Sequence, residues 1–250
     1  MRAIGAAALY ICGGCRADDG TQDTRRNGCF FAARSDSAVA QGDPRALLRE
    51  IYRRSTGDRE TDHAISNVLY RAARAFAFVR SQIPAFRFLP PGEAGGGDGL
   101  ACDAIEMQPG TKGLVAVGLD LLNSNSTQES SRLAFEVIVG HEFAHIYQAR
   151  HGYVERLAPS NSTVRLLELH ADYLAGWFMS KKGDVLVTGL EPVVDALFSR
   201  GEYAFNDPSH HGTKADRFTA ALQGFLQGGW TDQIDGAAVN GISYLNKLLD

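Results

Sequence analysis

Apolar residues recur at helical spacing in the first half of the chain, and this spacing predicts its first long helix. Between positions 61 and 83 they follow one another at intervals of three and four residues: Ile65, Leu69, Ala72, Phe76 and Val79. Residues spaced in this way share one face of an α-helix, so this face should pack into the core. Thr61 or Asp62 supplies the N-cap, and Ile83-Pro84 ends the helix because a residue before proline avoids helical geometry.

A second, more apolar stretch predicts a helix that ends near Arg150. Its members at helical spacing are Leu133, Val137, His141, Ala144 and Gln148. The polar residues at 124–127, together with Glu129, offer N-caps, and His151-Gly152 places glycine at the C-terminal boundary. The stripe includes a histidine although it otherwise looks buried, and a buried polar group needs a partner.

Further helices are predicted from capping and boundary residues. Asp43-Pro44 opens a short helix to about Arg54, since proline is favoured at the first helical position. The helix over Thr163–Lys182 ends where Gly183 follows. Three others complete the set, at 191–200, at 213–227 with Thr213 as its cap, and at 237–249.

One region favours β-structure. Ala101–Met107 and Leu114–Leu122 have the apolar character of short strands, and the turn residues at 108–113 between them predict a hairpin. The predicted fold class is therefore mostly α, an α+β domain with a small β-hairpin or sheet. We interpret Leu114–Leu119 as a candidate edge strand, against which an extended peptide could pair through main-chain hydrogen bonds.

Length and composition fit one globular domain with an N-terminal extension. In this chain of 250 residues, positions 1–42 lack sustained periodicity and are rich in Gly, Ser, Asp and Arg. They are predicted to be a leader or irregular segment, and 43–250 a single domain. The net charge of −4 and the lack of a long basic block do not indicate nucleic-acid binding.

The extension leaves the compartment open. Ile4–Ile11 is too short for a transmembrane span, but it resembles the apolar part of a signal peptide, so export and a cytoplasmic location both stand. Cys12, Cys15 and Cys29 could be three ligands of a zinc knuckle. Since no fourth ligand follows at matching spacing, incidental thiols are favoured. Together with Cys102 they are too few for a disulfide scaffold.

The second helix carries the pattern H-E-x-x-H in His141, Glu142 and His145. A helix advances about 100° per residue, so two histidines four apart can direct their imidazoles at one metal ion. Glu142 lies one step around the helix, where it can act on water as a general base without binding the metal. The alternative is a buried helix with two hydrogen-bonded histidines.

The helix at 163–182 offers a third ligand. Glu168 and Asp172 are four residues apart and share a face beside an apolar stripe. Catalytic zinc usually has three protein ligands, so Glu168 is predicted as the third and Asp172 as a partner that orients a ligating imidazole. The alternative is a pair of solvated carboxylates. His170 is a competing ligand, but it lies two residues from Glu168 and so cannot easily face the same ion.

Three segments, 139–148, 164–178 and 207–225, resemble the bacterial neutral zinc metallopeptidases, a branch of the gluzincins. In that family the H-E-x-x-H helix is followed by an E-L-x-A-D-x-x-A-G helix, matched by Glu168, Leu169, Ala171, Asp172, Ala175 and Gly176. A third motif is matched by His211, Gly212, Thr213 and Arg217, with departures at His210 and Asp216.

The resemblance implies a zincin-like domain and a zinc metalloendopeptidase acting on a peptide or protein substrate. His141, His145 and Glu168 would bind Zn²⁺ and Glu142 would be the general base. His211 would lie near the cleft and stabilise oxyanion charge, or else cap or pack in its loop. Arg217 would form a structural ion pair with a buried carboxylate such as Asp172.

Two other classes of function stay open. One is a non-catalytic binding or scaffold protein that keeps zinc for folding, although Glu142 has no use there. The other is a metallohydrolase that cleaves a non-peptide amide.

Overall fold

The computed structural model describes residues 8–11, 30–33, 54–89, 99–103, 109–122, 128–159, 163–190 and 212–249. These residues are mostly helical, with a small mixed sheet of three strands, which confirms the mostly α, α+β class. The strands are β1 (Ala8–Ile11), β2 (Phe30–Ala33), β3 (Ala85–Leu89), β4 (Gly99–Cys102) and β5 (Leu114–Gly118). The helices are α1 (Arg59–Ala75), α2 (Leu119–Leu122), α3 (Gln128–Arg150), α4 (Tyr153–Leu157), α5 (Arg165–Ser180), α6 (Lys214–Gln227) and α7 (Ile234–Asn246).

Helix α1 has the predicted core face but different ends. Its N-cap is Asp58, whose carboxylate accepts a hydrogen bond of 2.7 Å from the backbone N–H of Thr61. It ends at Ala75, well before Ile83-Pro84, because Ala77 adopts a left-handed conformation with φ of 55°. The prediction for Val79 is therefore wrong, since this side chain lies beyond the helix and is 57% exposed.

The sheet differs from the predicted hairpin in one respect that matters for function. Strand β5 lies between β3, to which it is parallel, and β4, to which it is antiparallel. The antiparallel pair of β4 and β5 confirms the hairpin, but β5 ends at Gly118 and residues 119–122 are helical. The interpretation of Leu114–Leu119 as an edge strand is wrong, because β5 is hydrogen-bonded on both sides. Strand β4 is the outer strand on that side of the sheet.

In the N-terminal extension the structure describes an antiparallel pair, β1 and β2, where the sequence predicted an irregular segment. Strand β2 approaches β4 without joining its ladder. Cys102, at the end of β4, is buried and disulfide-bonded. Predictions for Cys12, Cys15, Cys29 and most of the helices at 43–54 and 191–200 lie outside the described residues.

The C-terminal helices follow their predicted caps closely. Helix α3 ends at Arg150, and Gly152 has a φ of 71° as expected of a glycine that terminates a helix. Helix α6 begins with Thr213 as its N-cap, and Thr213 and Asp216 form a reciprocal capping box. Asp216, one of the two departures from the family motif, thus completes this cap. Helix α7 begins three residues before the predicted start.

Glycines bring the backbones of the central helices into close contact. A Cβ added at Gly140 of α3 would lie 2.8 Å from the Phe178 ring of α5. Helices α5 and α6 are closer still, because a Cβ at Gly176 would collide with the Ala221 carbonyl and one at Gly224 with the Tyr173 carbonyl. These contacts hold α3, α5 and α6 side by side, in that order.

Gly224→Ala should therefore destabilise the fold. The added methyl group meets rigid backbone, so we expect the free energy of unfolding to fall by about 3 kcal/mol in urea denaturation. The control is Gly189→Ala, another helical glycine, around which a Cβ would meet nothing within 4 Å. That variant should be unchanged or slightly stabilised. Equal stability of the two variants would contradict the close contact of α5 and α6.

Candidate metal centre

The two histidines of the H-E-x-x-H motif lie one turn apart on α3, with their rings perpendicular to each other. The ring centroids are 4.5 Å apart, and the two Nε2 atoms of His141 and His145 are separated by 2.9 Å. Both side chains are buried. The four-residue spacing thus brings the rings together, as the helical repeat predicts.

Helix α5 adds a carboxylate to this pair. One oxygen of Glu168 lies 3.4 Å from His141 Nε2, and the other lies 3.3 Å from His145 Nε2. The three donor atoms fall within 4.8 Å of one another, and all three side chains are buried. His141, His145 and Glu168 could therefore hold one metal ion.

Hydrogen bonds at the Nδ1 atoms of His141 and His145 leave the lone pair of each ring on Nε2. The two Nε2 atoms point toward the same place. His141 Nδ1 is 2.8 Å from Asp172 Oδ1, and His145 Nδ1 is 2.8 Å from Gln148 Oε1. With a hydrogen on each Nδ1, both Nε2 atoms present lone pairs to each other and to Glu168. A cation among these donors would stabilise such a group. Two imidazoles and a carboxylate are a donor set that suits zinc.

Arg217 of α6 completes the surroundings of Asp172. Its Nε and Nη2 atoms donate hydrogen bonds of 2.8 and 3.0 Å to the two carboxylate oxygens, and Nη2 lies 4.0 Å from Glu168. Burial alone would raise the pKa of Asp172, but the charge of Arg217 and the contact with His141 outweigh it and lower that pKa. Asp172 is therefore an anion held between a cation and a ligand ring.

The same charges act on His141. Burial alone would lower its pKa, but the hydrogen bond and charge of Asp172, followed by those of Glu168, raise the pKa of His141 to about 10. The pocket thus favours positive charge at Nε2, which a proton or a metal ion could supply.

Glu142 is buried next to the pair and lies against the start of β4. A Cβ added at Gly99 would be 2.6 Å from Glu142 Oε1, so the strand passes directly beside this carboxylate. Burial alone would lower the pKa of Arg217, but the charges of Asp172, Glu168 and Glu142 raise it. The carboxylate therefore belongs to the same electrostatic group as the three candidate ligands.

The sequence analysis names two further histidines, His211 and His170. His211 lies outside the described residues, next to Gly212, whose φ of 103° requires glycine. His170, the competing ligand, is completely buried, and its Nε2 lies 3.0 Å from the carbonyl oxygen of Ala238 on α7. Burial lowers the pKa of His170 to about 4, so this ring is neutral at pH 7.

Gln148 was placed on the core stripe from the sequence but was given no function. In the structure it is completely buried and contacts both His145 and His170. The only sequence signal was its position three residues after His145, almost one turn further on the same helix.

No protein-family profile matches this chain, and no curated protein or solved structure does either. Within the ranges that the structure describes, none of the helices combines the length and the apolar character needed to span a membrane. The resemblance to the neutral zinc metallopeptidases therefore stays a prediction.

Proposed function

We propose that this protein is a zinc-dependent metallopeptidase in which Glu142 is the general base. The observation that carries the proposal is the convergence of His141, His145 and Glu168 on one point, with the buried carboxylate of Glu142 one residue along the same helix. The resemblance of these positions to the gluzincins supports the choice of zinc and of peptide substrates.

Each side chain then has a defined task. His141, His145 and Glu168 would hold the zinc ion, which when bound would supply a Lewis acid that polarises a carbonyl group and makes water more acidic. Glu142 takes a proton from the attacking water and returns it to the amine of the departing peptide. Asp172 holds His141 in the ligating tautomer, while Arg217 keeps Asp172 ionised.

The zincin-like architecture is part of the same proposal. Its support is the antiparallel packing of a motif helix, α3, against a helix that carries the acidic ligand, α5, beside a small sheet. On this basis His211 is proposed to reach the cleft from the segment before α6 and to stabilise negative charge that develops on the substrate oxygen.

Glu142→Gln is the variant that tests the assignment of the base. The amide cannot accept the proton, so kcat should fall by about 10²–10⁴-fold. Zinc stoichiometry and unfolding temperature should stay at their wild-type values, because Glu142 is not a ligand in this proposal. Retained peptidase activity would contradict the role of Glu142.

His145→Ala is the matched comparison for that experiment. It removes one of the three donors, so metal content by mass spectrometry should fall along with activity. A variant with unchanged zinc content would exclude His145 as a ligand, independently of any result on Glu142.

Peptide length distinguishes the proposed enzyme from its alternatives. For an endopeptidase, residues remote from the scissile bond contribute binding energy to the transition state, so kcat/KM should rise from dipeptides to octapeptides. Turnover of small amides without such a rise would favour a non-peptide metallohydrolase. Zinc binding without turnover of a broad peptide library would favour a scaffold protein.

Gly99→Ala tests the position of Glu142 from the side of the sheet. The new methyl group would meet the Glu142 carboxylate at 2.6 Å and the Ile138 side chain at 2.7 Å, so the base has to move. We expect kcat to fall between about 10- and 100-fold with zinc retained. Gly229→Ala, where a Cβ would meet nothing within 4 Å, is the control. Unchanged kcat in Gly99→Ala would contradict the inference that β4 positions the general base.

A further inference from the structure

We propose that Gln148 and His170 form a buried hydrogen-bonded pair that fixes the tautomer of His145 and so presents its Nε2 lone pair to the metal. This inference rests on the metal centre of the proposed function. It adds two positioning residues, neither of which touches the ion or the substrate.

The orientation of the Gln148 amide is determined by its neighbours. Its Nε2 donates a hydrogen bond of 2.8 Å to the carbonyl oxygen of Leu167 and lies 3.1 Å from His170 Nδ1. A carbonyl oxygen can only accept, so the nitrogen of the amide must face it. The flipped amide would bring two oxygens together in a site that is completely buried.

The tautomer of His170 follows from its other neighbour. His170 Nε2 lies 3.0 Å from the carbonyl oxygen of Ala238, so this nitrogen carries the hydrogen. His170 Nδ1 is then the acceptor for the second amide hydrogen of Gln148. Both donors of the amide are engaged, and its single oxygen is directed at His145.

The consequence for His145 is a fixed tautomer. Gln148 Oε1 lies 2.8 Å from His145 Nδ1, and because this oxygen only accepts, Nδ1 must carry the hydrogen. The other tautomer would oppose two acceptors in the interior, at a cost of about 1–3 kcal/mol. The lone pair of His145 therefore lies on Nε2, which faces His141 and Glu168.

The C-terminal helix holds this pair in place. Besides the Ala238 carbonyl, α7 contributes Gly241, at which an added Cβ would lie 2.8 Å from the His170 ring. The ring thus fits tightly between α5 and α7. Packing of α7 is in this way connected to the second ligand of the metal through His170 and Gln148.

The partner of His145 is neutral, whereas the partner of His141 is a carboxylate. His141 is oriented by the carboxylate of Asp172, whereas His145 is oriented by a neutral amide. An amide fixes the ring without adding negative charge beside the ion, so the metal keeps more of its Lewis acidity than with two carboxylate partners.

The first test measures the tautomer in protein prepared without metal. Ring ¹⁵N chemical shifts should identify His145 as the form with hydrogen on Nδ1, which is the less common form of free imidazole side chains. In Gln148→Leu this preference should be lost. Hydrogen on Nε2 of His145 in the wild-type protein would overturn the inference, whatever the zinc affinity is.

The second test compares zinc dissociation constants by competition with a chromophoric chelator. Gln148→Leu should bind zinc about 10–100-fold more weakly than wild type. The control is Gln227→Leu, at an exposed glutamine of α6, which should bind zinc normally. Unchanged affinity in Gln148→Leu would overturn the inference.

A pair of variants at His170 keeps the test decisive if Gln148→Leu does not fold. His170→Asn retains an oxygen near the position of Nδ1, whereas His170→Leu removes the acceptor. Zinc affinity should be nearer to wild type in His170→Asn than in His170→Leu, with urea denaturation measured for both. Equal zinc affinity in the two variants would overturn the part assigned to His170. Wild-type protein that binds no zinc would instead contradict the proposed function, while the tautomer measurement would still decide this inference.

Discussion

The requirement that buried polar groups have hydrogen-bond partners governs the arrangement of this protein. Two imidazoles lie inside an otherwise apolar helix, and each ring has one nitrogen that must be satisfied away from water. Asp172 from α5 meets one ring and Gln148 meets the other. Each partner is itself hydrogen-bonded. Asp172 accepts from Arg217 of α6, and Gln148 donates to His170, whose other ring nitrogen is bonded to α7. The four helices are therefore joined by the polar contacts of one site as well as by apolar packing.

Charge explains why such a group could hold a metal ion. Glu142, Glu168 and Asp172 are buried carboxylates, and Arg217 is the guanidinium among them. These four side chains together leave two negative charges, which a divalent cation would neutralise. The raised pKa of His141 reflects the same imbalance, since the carboxylates favour a positive charge on the ring. A metal ion bound among these side chains would thus also neutralise their negative charge.

The sequence predicted what depends on local spacing, and it did so for the parts closest to the chemistry. The four-residue intervals of His141 and His145 and of Glu168 and Asp172 are fixed by the helical repeat, and the structure brings them together. Local residues also predicted two helix boundaries: Gly183 follows the C-terminal end of α5, and Thr213 is the N-cap of α6. Such features need information from only a few neighbouring residues.

Features that depend on distant partners were missed. The order of the sheet could not be read from Leu114–Leu119, because β5 lies between β4 and the parallel strand β3, which comes before β4 in the chain. The early end of α1 depends on one left-handed residue, Ala77. This residue is not a glycine, so the sequence does not indicate the left-handed conformation. The orientation of Gln148 depends on His170, 22 residues further along the chain.

The proposed enzyme and the alternative scaffold protein differ in whether a metal ion at this site would act on a substrate or hold the fold. Structural zinc sites are usually closed by four protein ligands, whereas catalytic sites use three and leave one position open. In the part of the chain that the structure describes, His141, His145 and Glu168 form a group of three. Burial of Glu142 beside them costs free energy, which an apolar residue at that position would avoid. A site that served folding alone would gain from such a replacement. A carboxylate kept next to three candidate ligands therefore supports the proton transfer that we propose for Glu142.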